Sequence, residues 1–418
     1  MKSAGKEEPR ARAAAVAARV AAVRARTRAL AGPLSAEDAL VQSMPEASPA
    51  KWHLAHTTWF FEAFVLARAE RRFRPFHPRY AYVFNSYYEA AGPRQPRLER
   101  GLLSRPPLED VLRYRADVDA RLAGAFEAGL APELVDVAEL GVAHEEQHQE
   151  LLLTDVKHAF SVNPLRPAYG SPPPPSGAAP APLAFLPREG GVVEIGAPGE
   201  GFAFDNERPR HRELLRPHAL GSRPVTCGEW LAFMGEGGYR RPQLWLSDGW
   251  AAVASRGWEA PLYWERDGAG WLQFTLGGLR PLDEAEPVAH VSFYEADAYA
   301  RWAGARLPTE TEWEAAAAGA PEDGTFADGG RLHPAAARAV QLRGDVWEWT
   351  RSAYAPYPGF RPLAGALGEY NGKFMVSQLV LRGGSCATPL GHARPTYRNF
   401  FYPDARWQFT GVRLARDT

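Results

Sequence analysis

The amino-acid sequence predicts an α+β protein of two domains, a four-helix bundle followed by a loop-rich domain of short strands. Three observations carry that prediction. Apolar residues recur at three- and four-residue spacing as far as His158, which is the helical period. The stretch Ser171 to Pro182, SPPPPSGAAPAP, then breaks any helix and reads as a semi-rigid linker. Beyond it Gly and Pro punctuate short strand-like pieces, and many of the 13 Trp, 15 Tyr and 20 Phe fall there. Rings rather than long regular elements are expected to hold that half together. A chain of 418 residues is long enough for two or three domains that each bury a core. The expected division is a bundle over 1–170, a linker over 171–183 and a second domain over 184–418.

The elements follow in order. Between Ala13 and Leu30, Val16, Val20, Val23 and Leu30 alternate with arginines. This suits a bundle helix with a solvated basic face better than a transit peptide. Ser48-Pro49 is read as an N-cap and a first-turn proline for a second helix through Trp52, His56, Trp59, Phe60 and Phe64. The third spans Leu108 to Ala128, with Val111, Tyr114, Val118, Leu122 and Phe126 on one side. A fourth begins near Pro132 and runs through Val137, Leu140, His144, His148 and Leu151 toward His158. Four apolar stripes in succession make an up-and-down bundle the natural packing. In the second half, Val192 to Ile195 reads as a strand, and Tyr294 to Trp302 and Glu310 to Ala318 read as helices.

Charge and cysteine content narrow the function classes. With 48 Lys plus Arg against 49 Asp plus Glu, the chain lacks the basic surplus of a nucleic-acid binder. Cys227 and Cys386 are too few for a disulfide framework, and neither a signal peptide nor an apolar run of membrane-spanning length is apparent. A cytoplasmic protein without a membrane partner is expected.

The most informative local pattern is His144-Glu145-Glu146-Gln147-His148. Residues four apart on a helix share a face, so both imidazoles can reach one ion. The run WHLAHTTWF supplies a third ligand from the second helix. His56 is preferred because Trp52, Phe60 and Phe64 lie on its face, which leaves His53 as a packing residue or a support for the ligands. Three neutral nitrogens hold a divalent metal and leave positions open. Satisfied core histidines, and a solvated face around Glu145, Glu146 and Glu150, are the plainer alternative. HEEQH also matches the H-E-x-x-H of zinc hydrolases, which would need Glu145 as general base. Between the bundle helices, Tyr87 and Tyr88 can donate a proton, and Arg94 or Arg97 can hold a carboxylate. Core tyrosines and a solvated basic loop are the alternatives there.

WHLAHTTWFFE, FNSYYEA, HEEQHQELLLTD, GDVWEWT, LRGGSCAT and RPTYRNFF occur in the order found in ergothioneine-biosynthetic sulfoxide synthases. The chain resembles that EgtB family along nearly its whole length. The first half looks like the family's DinB-like bundle, and the second is similar to the formylglycine-generating-enzyme and sulfatase-modifying domain, a C-type-lectin-like fold. The resemblance implies iron(II) on His56, His144 and His148. It also implies an enzyme that uses dioxygen to join the sulfur of cysteine or γ-glutamylcysteine to hercynine as a sulfoxide. By the same resemblance Gln147 bonds the hercynine imidazole, and Asn399, Phe400 and Phe401 hold its trimethylammonium group. Tyr87 and Tyr88 match a tyrosine pair beside the iron, and Arg94 or Arg97 would hold the thiol substrate's carboxylate. The paired tyrosines look more like the branch that uses free cysteine. Selenoneine synthases share the architecture, and a zinc thiol transferase or hydrolase of the DinB type would use the same histidines without redox chemistry. The copper site of the formylglycine-generating enzyme needs a cysteine pair that Cys386 lacks. GDVWEWT and LRGGSCAT are expected to be structural, with Trp347 and Trp349 packed and Arg382 in an internal salt bridge.

Overall fold

A computed structural model describes residues 4–177 and 179–418; residues 1–3, and Ala178 of the proline-rich stretch, lie outside it. The chain divides into two compact units. One runs to Val162 and also takes in Ala364–Tyr370; the other comprises Asn163–Leu363 and Asn371–Thr418.

The first unit is built on α1 (Ala4–Ala31), α2 (Ala50–Phe61), α5 (Leu108–Glu127) and α6 (Pro132–Val162), with the one-turn α3 (Ala67–Ala69) and the short α4 (Tyr80–Phe84) between them. The apolar stripes read from the sequence face inward, and α6 packs on α1 and α2 while α2 also packs on α5. The start of α2 differs from expectation by one residue. Pro49 occupies the capping position without a side-chain cap, because Ser48 has other partners: its amide donates to Asp155 and its hydroxyl accepts from Arg100. After Phe61 the helix widens into a π-helical turn, Glu62–Leu66. Such turns shift the side chains that follow off the 3.6-residue register.

Close approach of α2 and α6 depends on Gly141. A Cβ there would come within 2.6 Å of the Phe61 ring and 3.1 Å of the Phe60 ring. The two helices are thereby drawn together near His144 and His56.

The second unit contains β1 (Phe185–Arg188), β2 (Gly191–Ile195), β3 (His211–Leu215), β4 (His218–Gly221), β5 (Trp264–Asp267), β6 (Gly270–Thr275), β7 (Gly278–Pro281), β8 (Trp347–Ala353), β9 (Leu379–Arg382), β10 (Asn399–Phe401), β11 (Thr410–Gly411) and β12 (Ala415–Asp417). They form four small sheets: β1-β4-β12, β10-β9-β8-β11, β2-β3 and β5-β6-β7. The unit also holds helices α7 (Cys227–Gly235), α8 (Ser247–Arg256), α9 (Phe293–Trp302) and α10 (Glu310–Ala317); α10 packs on β2, β3, β8 and β9, and α7 packs on α9. α7, α9 and α10 each begin with a Ser or Thr that caps a backbone N–H while a Glu three residues on reaches back.

Rings and buried ion pairs fill this core, as the composition suggests. Trp230, Trp313, Trp347 and Trp349 are fully buried. Arg382 pairs with Glu310 and Glu314, Arg398 pairs with Glu310, and Arg413 pairs with Glu348. Trp347, Trp349 and Arg382 are therefore structural, as expected. Among the described residues, no helix is long and apolar enough to cross a membrane.

Candidate metal centre

His144 and His148 project from one face of α6, and α2 brings His56 against them. One nitrogen from each of the three lies within 4.8 Å of the others, and all three rings are buried. His56 Nδ1 sits 2.6 Å from the carbonyl oxygen of Phe84, to which it donates, leaving Nε2 turned inward 3.2 Å from His144 Nε2. His148 Nδ1 lies 2.8 Å from His53 Nδ1. Trp52 stacks on the His56 ring at 4.5 Å, and Phe60 lies 4.7 Å from the His144 ring. Rings and remote hydrogen bonds thus fix the imidazoles from behind.

Burial first, and then the neighbouring imidazoles, hold His56 and His148 well below the ordinary histidine range. Burial does the same to His144, down to about 3. The rings are neutral at physiological pH, and neutral imidazole is the form that ligates a metal. His56 Nε2 and His144 Nε2 face each other at 3.2 Å in a fully buried setting, and an ion accepting lone pairs there would replace a contact with no water to satisfy it. The donor set fits a divalent transition metal with open positions.

Glu145 does not join this cluster. It is fully buried between Arg24 and Arg115, which bond both its carboxylate oxygens. Burial alone would raise its pKa, but the two guanidiniums outweigh that effect and hold it at about 2. A carboxylate so occupied is no general base, and the zinc-hydrolase reading of HEEQH fails on that point. The solvated-face alternative fails as well, since Glu150 is also buried. Gln147, half-buried, lies one turn on from His144.

Three phenols gather beside the histidines. Tyr87 and Tyr88 stack at 5.0 Å, and Tyr370 lies 6.1 and 6.4 Å from them. Tyr370 also meets the His144 ring edge to face at 5.6 Å. Burial raises the pKa of both Tyr87 and Tyr88, so each keeps its proton. The segment carrying Tyr370 is anchored by Glu369, whose carboxylate accepts from the amides of Glu89 and Ala90. Sequence reasoning missed Tyr370, because nothing local in GALGEYNGKF announces a partner segment held from 280 residues away.

The arginines nearby occupy three different settings. Arg94 is half-exposed and paired with Glu89, and exposed Arg97 donates to the Glu46 carbonyl. Arg100, which the sequence reading passed over, is buried. Its guanidinium lies 3.4 Å over the Trp52 ring and donates to Ser48 Oγ and Ser86 Oγ. Among the described residues it has no ion pair, and its Nε has no partner. Burial, and then Arg97 and Arg94, weigh against its charge. No local signal marks it: Arg97, three residues earlier in the same 3-10 turn Arg97–Leu102, is exposed, whereas Arg100 is buried by contacts with Trp52 and Ser48.

In the second unit, Asn399, Phe400 and Phe401 form β10, antiparallel to β9. Phe400 stacks on Tyr354 at 4.0 Å, and Phe401 meets the edge of Trp407. Cys227 and Cys386 are buried free thiols.

Three histidines converging from two helices of the first unit, in a chain whose second unit is built of short strands and loops, define a two-domain protein with a candidate metal centre. Residues 19–152 match the DinB superfamily, and residues 184–341 and 330–418 match the sulfatase-modifying factor enzyme 1-like domain. The chain is 35% identical to the hercynine oxygenase of Mycolicibacterium thermoresistibile over 89% of this chain and 88% of that protein. It is 34% identical to that of Mycobacterium tuberculosis over 89% and 92%. The formylglycine-generating enzyme of Streptomyces coelicolor is 29% identical over 60% of this chain and 96% of that enzyme. The chain belongs to the hercynine oxygenase family.

Proposed function

We propose that the chain catalyses oxidative C–S bond formation in ergothioneine biosynthesis, joining the sulfur of cysteine to the imidazole of hercynine. One C–H and one S–H bond are lost, one oxygen atom of dioxygen enters the sulfoxide, and the other leaves as water. The observation that carries this reading is the buried, neutral three-histidine cluster in a member of the hercynine oxygenase family. His56, His144 and His148 would hold iron(II), which supplies the redox capacity to activate dioxygen toward the thiolate.

The remaining roles belong to the chain's own groups. Arg100 is proposed as the anchor for the substrate carboxylate, in place of Arg94 or Arg97, because it is a buried cation still lacking an anionic partner. One such cation suits cysteine, with its single carboxylate, better than γ-glutamylcysteine with two. Tyr87 and Tyr88 are proposed as proton donors, with Tyr370 completing their cluster of rings. Gln147 is assigned to the hercynine imidazole. Asn399, Phe400 and Phe401 are assigned to its trimethylammonium group, since aromatic faces attract a quaternary cation.

The test is an anaerobic reconstitution with iron(II), hercynine and cysteine, followed by air and mass detection of hercynylcysteine sulfoxide. Iron-loaded protein that makes no such product from either cysteine or γ-glutamylcysteine would refute the proposal.

A further inference from the structure

Behind the metal ligands lies a second set of buried polar groups that the reaction does not use directly. His53, one turn before His56 on α2, places Nδ1 at 2.8 Å from His148 Nδ1 and Nε2 at 3.0 Å from Asp155 Oδ2. Asp155 follows His148 by two turns on α6, and the same Oδ2 accepts the Ser48 amide at 2.8 Å. All three side chains are buried.

The direction of each bond follows from what the atoms can do. A carboxylate only accepts, so His53 Nε2 carries the proton that it gives to Asp155. A neutral imidazole has one donor and one acceptor, which makes His53 Nδ1 an acceptor. His148 Nδ1 must then carry a proton and donate it, and this leaves the lone pair of His148 on Nε2. If either ring alone adopted the other tautomer, two lone pairs or two N–H groups would face each other across that 2.8 Å contact. From this geometry we infer that Asp155 and His53 are positioning residues that impose the Nδ1–H tautomer and ring orientation of His148, and so set how tightly the three-histidine site holds its metal. This rests on the metal-site reading above but not on the reaction proposed for it.

The arrangement differs from what serves His56, whose Nδ1 donates to a backbone carbonyl, and His144, whose Nδ1 has no partner among the described residues. Only His148 is backed by an anion, relayed through a second imidazole. Supports of this kind typically govern metal affinity by about 10–100-fold. Ser48 also joins the relay to Arg100, because its amide serves Asp155 and its hydroxyl serves the guanidinium.

Cobalt(II) is a suitable probe because its visible spectrum reports ligand geometry without turnover. Full-length protein, His53→Leu, His53→Gln and Asp155→Asn are titrated with cobalt(II) against a competing chelator, with spectra recorded and the melting of each metal-free protein measured. Glutamine can accept from His148 through its carbonyl and donate to Asp155 through its amide; leucine can do neither. The inference predicts that His53→Leu weakens cobalt binding by about 10–100-fold and shifts the spectrum. His53→Gln should restore most of the affinity and the spectrum, and Asp155→Asn should weaken binding even if His53→Leu fails to fold. Wild-type affinity and spectrum in both His53→Leu and Asp155→Asn would overturn it. So would a His53→Gln protein that melts normally yet binds cobalt no better than His53→Leu. If the unaltered protein binds no cobalt, the three-histidine reading falls and takes this inference with it.

Discussion

Arg100 illustrates how a single side chain is assigned a role by what it lacks. A buried guanidinium ordinarily pairs with a carboxylate, whereas this one has two hydroxyls and the face of Trp52. If it anchors the carboxylate of cysteine, Arg100→Gln removes a charge-assisted contact of about 1.5–3 kcal/mol, and KM for cysteine should rise by about 10–100-fold. Unchanged KM, measured with hercynine saturating, would reassign the anchor. The phenols make a second prediction at this scale. Their protons are held by burial, so Tyr87→Phe or Tyr88→Phe should divert product from the sulfoxide toward the plain sulfinic acid of the thiol. Chromatography of the products would show it, and unchanged ratios in both variants would remove the tyrosines from proton donation. At this scale His144, His148 and His56 were legible, the pair from its four-residue spacing and His56 from its company on one face. Arg100 and Tyr370 were not, because each owes its place to contacts distant in sequence.

The helices carry the site, and their spacing is set by one residue without a side chain. Gly141 lets α6 meet the rings of Phe60 and Phe61 on α2. Gly141→Val should overpack this contact, with a cost of about 1–3 kcal/mol. Because His144 lies one turn further along α6, metal affinity should fall together with stability. Chemical denaturation and a cobalt titration on the same variant would check both, and a variant as stable as the parent would show that the rings can give way. The four long helices were readable from period alone, since each carries its apolar stripe for several turns. Their ends were less so: Ser48 looks like a cap in sequence but spends its groups on Asp155 and Arg100. In the second half α9 and α10 were legible, while α7 escaped although Thr226-Cys-Gly-Glu229 has the same capping pattern. Some of the short strands pair across long stretches of chain, as β4 does with β12, and no local periodicity encodes such partners.

For the molecule as a whole, stability against acid is expected to depend on the buried ion pairs of the second unit. Glu310 bonds both Arg382 and Arg398; burial alone would raise its pKa, but the two guanidiniums bring it below the ordinary 4.5. A carboxyl depressed in the folded state binds protons more readily once unfolded, so its contribution is present above about pH 4.5 and is lost as the pH falls below that. Glu310→Gln should cost about 3–5 kcal/mol near neutrality and lose part of the parent's acid sensitivity, which melting curves across that range would reveal. Equal acid limbs in the two proteins would place the sensitivity elsewhere.

The central claim concerns what the three histidines serve. The most direct measurement is the mass of the product formed from hercynine and cysteine by iron-loaded protein under oxygen-18 gas. The account predicts hercynylcysteine sulfoxide carrying one labelled oxygen, and none of it when His144→Ala replaces the parent protein. Sulfoxide without label, or none at all from protein shown to hold its iron, would contradict it.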